Sequence, residues 1–324
     1  MRNAPDRWFG SVLRDVPGKD TPPDRYVAPE RVREARKLSD EAERLVCASR
    51  FEEAIPVYDR ALLLNPGYMA AWGRKGAVLG QLARYEDSII CCDNALELDP
   101  DCVTAWSNKG ASLDNLGRHE EAIHCLDRAL ELDVNYVDAW VNKGIALRSM
   151  EDLEQALQSF DRALALAPER IDALAWKGSC LYVLGRFQEA VGCFDKILEI
   201  NPKKIAIWLD KANALAAMGL EQEGIDCCEK AIDLDASSKA AWNFKGNALC
   251  RIGKFAEAVL CFDKVLSLDP EWADVWMRKA LAEDRLGYVP ETVCCYRKFL
   301  ELTPHKDTEP VQYAHQRLRE LGAD

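Results

Sequence analysis

The sequence predicts an all-α protein, a solenoid of antiparallel helix hairpins stacked side by side. Three observations carry this. Tryptophan returns at intervals of 34 residues, at Trp72, Trp106, Trp140, Trp208, Trp242 and Trp276, with Leu38 and Leu174 filling the two remaining places of that register. Small residues and proline keep the same period, as at Gly144, Ala156, Ala163 and Pro168. Within each period the apolar residues fall at three- and four-residue spacing, the mark of a helix face rather than a strand.

The stretch 137–170 shows how one unit is built. Ala139, Trp140, Ala146 and Leu147 draw an apolar stripe down a first helix. Ser149 to Asp152 is a polar break, and Leu153, Ala156, Leu157, Phe160, Ala163, Leu164 and Leu166 form the stripe of a second helix that Pro168 ends. Small side chains at Gly144, Ala156 and Ala163 let the two axes approach, while Trp140, Leu147 and Phe160 fill the space between them. A single hairpin cannot cover both stripes, so each must stack on its neighbours.

The chain divides into eight such units, at 35–68, 69–102, 103–136, 137–170, 171–204, 205–238, 239–272 and 273–306. Residues 1–34 hold five prolines and precede the repeat, so an extended or mobile segment is expected there. Within it Trp8, Phe9, Val12 and Leu13 could share one helical face. The first unit departs at its start, with Leu38 and Ala42 where its siblings hold Trp and Gly, and the unit 171–204 has Leu174 in the Trp place with Trp176 two residues later. The last unit carries Glu283 where its siblings have Leu. Residues 307–324 contain Val311, Ala314, Leu318 and Leu321, the pattern of a capping helix that shields the final apolar face.

Trp140, Gly144, Leu147, Ala156, Phe160, Ala163 and Pro168 in a 34-residue unit resemble the tetratricopeptide repeat (TPR) family. That resemblance implies a right-handed superhelical α-solenoid whose first helices line a concave wall. It also implies a role in binding other proteins.

Composition narrows the alternatives. The formal net charge of −12 and pI near 5.0 repel phosphate backbones and anionic lipids, so neither nucleic acid nor membrane is the expected partner. The first twenty residues, MRNAPDRWFGSVLRDVPGKD, lack the apolar core of a signal peptide, and a cytoplasmic location is expected. Of the thirteen cysteines, Cys91, Cys125, Cys193, Cys227, Cys261 and Cys295 share one repeat position, with Ser159 at the same place in the fourth unit. That regularity marks them as small, half-buried hydrophobes in a reducing compartment rather than a disulfide framework. The adjacent pairs at 91–92, 227–228 and 294–295 point about 100° apart on a helix, which suits neither metal nor redox chemistry.

Charge also keeps the 34-residue period. Lysine stands at 75, 109, 143, 177, 211, 245 and 279, and an acid at 59, 93, 127, 161, 195, 229 and 263. Pairing within a unit opposes Glu41 to Asp59 and Lys279 to Arg297, two like-charge contacts. Pairing each acid with the lysine of the next unit gives seven opposite-charge contacts, so a ladder across the repeat junctions is predicted. Exposed pairs of this kind contribute only about 0.2 to 1 kcal/mol each.

No phosphate loop, zinc helix or nucleophile elbow appears, so neither an enzyme nor a cofactor site is expected. The surface left for function is the wall lined by the first helices. Its candidate peptide-binding residues are Asn108, Asn142, Arg148, Trp176, Tyr182, Asn213, Phe244, Asn247 and Arg251. Amides both donate to and accept from an extended backbone, and large rings anchor a side chain in a pocket. Asn108 and Asn142 occupy the place of the asparagine ladder in the arm of O-linked N-acetylglucosamine transferase. The resemblance does not extend to the chaperone-tail clamp, because the fifth place of the unit never holds lysine. A scaffold that binds a protein or peptide is the leading expectation. Self-association through the repeat ends or convex face is one alternative, and an autoinhibited binder with residues 1–34 in its own groove is another.

Overall fold

The computed structural model describes residues 27–304 and 308–323, and among these residues it contains seventeen α-helices and no strand. Eight hairpins follow one another: α1 (Pro29–Cys47) with α2 (Phe51–Leu64), α3 (Met69–Gln81) with α4 (Tyr85–Leu98), α5 (Val103–Asn115) with α6 (His119–Leu132), and α7 (Val137–Ser149) with α8 (Leu153–Leu166). Then come α9 (Ile171–Val183) with α10 (Phe187–Ile200), α11 (Ile205–Ala217) with α12 (Glu221–Leu234), α13 (Lys239–Arg251) with α14 (Phe255–Leu268), and α15 (Ala273–Leu286) with α16 (Val289–Leu302). The last helix is α17 (Glu309–Glu320). The chain divides into two compact units, one running to Cys180 and the other from Leu181. Within these units α3, α5, α7, α11, α13 and α15 each pack on their own second helix and on the second helix before it.

The same backbone device closes every hairpin. The residue at the fifteenth place of each unit takes a left-handed conformation, at Ser49, Ala83, Gly117, Glu151, Gly185, Gly219, Gly253 and Gly287. The next N–H then bonds back five residues, as from Arg118 to Leu113 O at 3.0 Å and from Lys254 to Leu249 O at 2.9 Å. This 6→1 bond satisfies a carbonyl that the helix end would otherwise orphan. Glycine is the residue least strained there, and five of the eight places have it.

Inside the hairpin, close approach depends on a missing side chain. A Cβ on Gly144 would stand 2.6 Å from Phe160 Cε1, and one on Gly246 would stand 2.6 Å from Phe262 Cε1. Phe160 and Phe262 are fully buried, flanked by the buried alanines Ala156, Ala163 and Ala258. The ring comes so close to the glycine that a Cβ there would have no room, and that approach sets the interhelical distance.

Each tryptophan of the 34-residue register fastens one hairpin to the next. The indole N–H of Trp72, Trp106, Trp140, Trp208, Trp242 and Trp276 donates to the carbonyl six residues before it, at 2.8 to 3.0 Å, which clamps the turn between units. The lysine three residues later lies 5.6 to 5.9 Å from the ring centre. That same lysine takes the acid of the preceding hairpin. All seven predicted pairs form, from Asp59 with Lys75 to Asp263 with Lys279, at 2.5 to 2.7 Å.

The two ends differ from the sequence expectation in one respect. Residues 29–34, assigned to an extended segment, form the first turns of α1 instead. Pro29 opens that helix at a position where its missing N–H costs nothing, so proline content there marks a helix start rather than its absence. The Trp8, Phe9, Val12 and Leu13 cluster lies outside the described residues. At the other end α17 lays Val311, Ala314 and Leu318 on Cys295, Tyr296 and Phe299. Arg317 grips Asp284 through Nε and one terminal nitrogen, at 2.8 and 2.9 Å. Arg297, which has no lysine beyond it to oppose, donates to Ala323 O at 2.5 Å.

Candidate functional site

Successive first helices touch: α3 with α5 and α5 with α7 in one unit, α11 with α13 and α13 with α15 in the other. The sixth place of one hairpin thereby meets the fifth place of the hairpin before it. Arg74 donates to Ser39 Oγ at 3.4 Å, Asn142 Nδ2 to Ser107 Oγ at 3.4 Å, and Arg278 to Asn243 Oδ1 at 2.8 Å. Polar residues at the sixth place therefore spend hydrogen-bonding capacity inside the protein. The same register sets Asn108 against Gly73, which has no side chain. Asn108 is 3% exposed and its Nδ2 has no partner, while a Cβ at Gly73 would meet nothing within 4 Å.

The other candidate residues fall into two groups. Trp176 is 5% exposed, and the Arg148 guanidinium lies over its ring with Cζ 4.9 Å from the centre. The ring is covered, so an open aromatic anchor at 176 gives way to a stacked pair. Arg251 is tied to Glu221, Nε to Oε1 at 2.7 Å. In the unit from Leu181, Tyr182 is 38% exposed and meets Phe187 edge-on, with centroids 5.3 Å apart. Asn213 and Asn247 occupy the ninth place of consecutive hairpins, with Phe244 one turn before Asn247 on α13. All three are half-buried, and neither amide is engaged in a hydrogen bond. The structure thus brings Asn213, Phe244 and Asn247 together on the touching helices α11 and α13.

One cluster was missed from sequence. Arg170, in the turn before α9, holds Asp138 at 2.6 Å and Asp172 at 2.7 Å. It stands where the indole clamp is absent, since Leu174 replaces the tryptophan that would bind the turn. The signal was present as an arginine at a turn position followed two residues later by an acid.

Models of the tetratricopeptide repeat match residues 39–101, 103–136, 141–205, 205–238 and 240–272, more than half of the chain. The chain belongs to the tetratricopeptide repeat family. Among solved structures, a tetratricopeptide repeat protein from Parabacteroides merdae is similar at 17% identity and a TM-score of 0.53, with 77% of this chain and 99% of that one covered. MamA from Desulfovibrio magneticus RS-1 is similar at 23% identity and a TM-score of 0.50, over 52% of this chain and 96% of that one. YrrB, described as a TPR protein with an unusual peptide-binding site, is 23% identical with a TM-score of 0.46, over 57% and 95%. These likenesses concern the TPR fold. No curated protein matches the chain in sequence.

The electrostatics of this TPR array disfavour nucleophilic chemistry at several of its buried thiols. None of the thirteen cysteines forms a disulfide. Burial pushes Cys91, Cys180 and Cys261 up to about 11, away from the thiolate form that reacts. Among the described residues no three His, Cys, Asp or Glu side chains converge as metal ligands, and no helix is long and apolar enough to cross a membrane.

Proposed function

We propose that this TPR chain is a non-catalytic interaction scaffold that holds a partner peptide segment on the first-helix face, with Asn213, Phe244 and Asn247 as its contact residues. The observation that carries this is the pair of unengaged amides at one register position in consecutive hairpins, with an aromatic ring beside them. An extended backbone with unmade N–H and C=O groups fits such a row, because each amide both donates and accepts. Phe244 offers an apolar contact for one guest side chain, and Tyr182 extends the surface with an exposed ring. Asn142 and Arg251, already committed to Ser107 and Glu221, play a smaller part.

Selection of displayed random peptides on the full chain tests this reading. Selected peptides should lose at least tenfold in affinity to an N213A/F244A/N247A variant that keeps its helical circular dichroism. Retained affinity in that variant would overturn the proposal.

Self-association is the second reading, and one observation favours it. Ile90 and Leu260 share a repeat position on second helices, and both are more than half exposed. Light scattering of the chain with both residues changed to lysine reads this out. We also assign the chain to a reducing, cytoplasmic compartment, a reading supported by thirteen cysteines outside any disulfide, most of them buried.

A further inference from the structure

Arg148 differs from the other arginines placed on or beside the first-helix face of its unit. Arg74 reaches Glu43 at 3.1 Å, and Arg170 holds both Asp138 and Asp172. Arg148 forms no ion pair, although the chain carries twelve more acidic than basic charges. Its guanidinium lies over Trp176 and beside the Cys180 thiol, and its Nε is buried without an acceptor. Arg148 as a whole is half-buried, the Cys180 thiol takes a hydrogen bond from it, and neither terminal nitrogen belongs to the buried, unpartnered set.

Geometry decides what such a group can bind. Stacking occupies one face of the planar cation and restricts its orientation, while no carboxylate takes the edge carrying the terminal N–H groups. That edge matches the two oxygens of a carboxylate or phosphate, and a pre-oriented fork loses less freedom on binding than a mobile one. Asp172 lies one turn before Trp176 on α9, but Arg170 engages it and it makes no ion pair with Arg148. A buried Nε without a partner is costly to keep unless the charge it belongs to has a use.

We propose that Arg148, seated on Trp176, is a receptor for an oxyanion, a carboxylate or phosphate group presented by a binding partner. This goes beyond the peptide reading and does not depend on it, since Asn213, Phe244 and Asn247 take no part.

The test is arginine side-chain NMR on the full chain, following the Nε–Hε signal of Arg148, identified by its loss in R148K. Acetate, inorganic phosphate and chloride are titrated at matched ionic strength. The Arg148 signal should shift saturably with acetate or phosphate, at least threefold further than that of the exposed Arg60, and should ignore chloride. Saturation with acetate alone marks a carboxylate partner, with phosphate alone a phosphorylated one, and with both a general oxyanion site. In W176F, where the stacking surface is smaller, half-saturation should need several-fold more anion. A shift no larger than that of Arg60, an equal response to chloride, or an unchanged W176F titration would each overturn the proposal while leaving peptide binding at Phe244 untouched.

Discussion

Lys143 Nζ lies 2.6 Å from Asp127 Oδ1 and 5.7 Å from the centre of the Trp140 ring. One ammonium thus ties the preceding hairpin to the ring that clamps its own turn. The lysine is mostly covered, but the aspartate remains about half exposed, so solvent screens the pair. A double-mutant cycle between D127A and K143A should give a coupling of about 0.5 kcal/mol, shrinking at 1 M salt. Urea unfolding checks this, and a coupling above about 2 kcal/mol would mean that the ladder supplies stability as well as register.

Gly144 is where a methyl group should do damage. Alanine favours a helix over glycine by about 1 kcal/mol, but here its Cβ would meet Phe160 at 2.6 Å. Overpacking of that kind costs about 1 to 3 kcal/mol. The terminal hairpins place Ala42 with Tyr58 and Ala280 with Tyr296, so the fold can adapt by moving a ring rather than by unfolding. G144A should lower the thermal midpoint, and adding F160L should recover most of the loss.

Glu283 offers the opposite outcome. It is 3% exposed, its Oε2 has no partner, and Lys279 lies 3.5 Å from Oε1 while also engaging Asp263 at 2.5 Å. The same place is Leu79, Leu113, Leu147, Leu215 and Leu249 in other units. E283L should stabilise the chain by about 1 to 2 kcal/mol, because a buried charge is exchanged for packing and the lysine keeps an acid. A lower melting temperature in E283L would show that the carboxylate is needed.

The thiols separate by accessibility. Cys47 and Cys294 are exposed and should react with a thiol reagent within minutes, whereas the buried cysteines should wait for unfolding. Burial raises the Cys91 thiol from its usual 9 to about 11. A group whose folded value lies above its unfolded value stabilises the fold fully below pH 9, and that contribution is lost as pH rises toward 11. The urea midpoint should therefore fall across that window, and a flat profile would contradict the burial of the thiols.

What could be read from sequence follows from how each contact is encoded. The tryptophan register, the Gly144 to Phe160 approach and the charge ladder repeat every 34 residues, so each unit corroborates the others. The ladder needed only the signs of the charges, because the ends, Glu41 and Arg297, exclude pairing within a unit. The indole bond to the preceding turn was less legible, although each of the six periodic tryptophans stands six residues after the carbonyl it binds. The candidate face was least legible. Whether Asn142 is available depends on Ser107, 35 residues earlier, and whether Trp176 is open depends on Arg148 from the hairpin before it. These commitments change from unit to unit, so no periodic signal reports them. Pro29 misled for a different reason, since proline both ends helices and begins them.

Leu174 gives the array an uneven seam. At the other tryptophan-bearing junctions a neutral indole fastens the turn, and dissolved salt hardly weakens that bond. At the turn before α9 the fastening is Arg170 with two carboxylates, which a concentrated electrolyte weakens more than it does a neutral bond, the burial of both acids limiting the effect. In brine, therefore, a protease should nick this chain first around Ala167 to Ile171, while the stitched turns on either side stay whole.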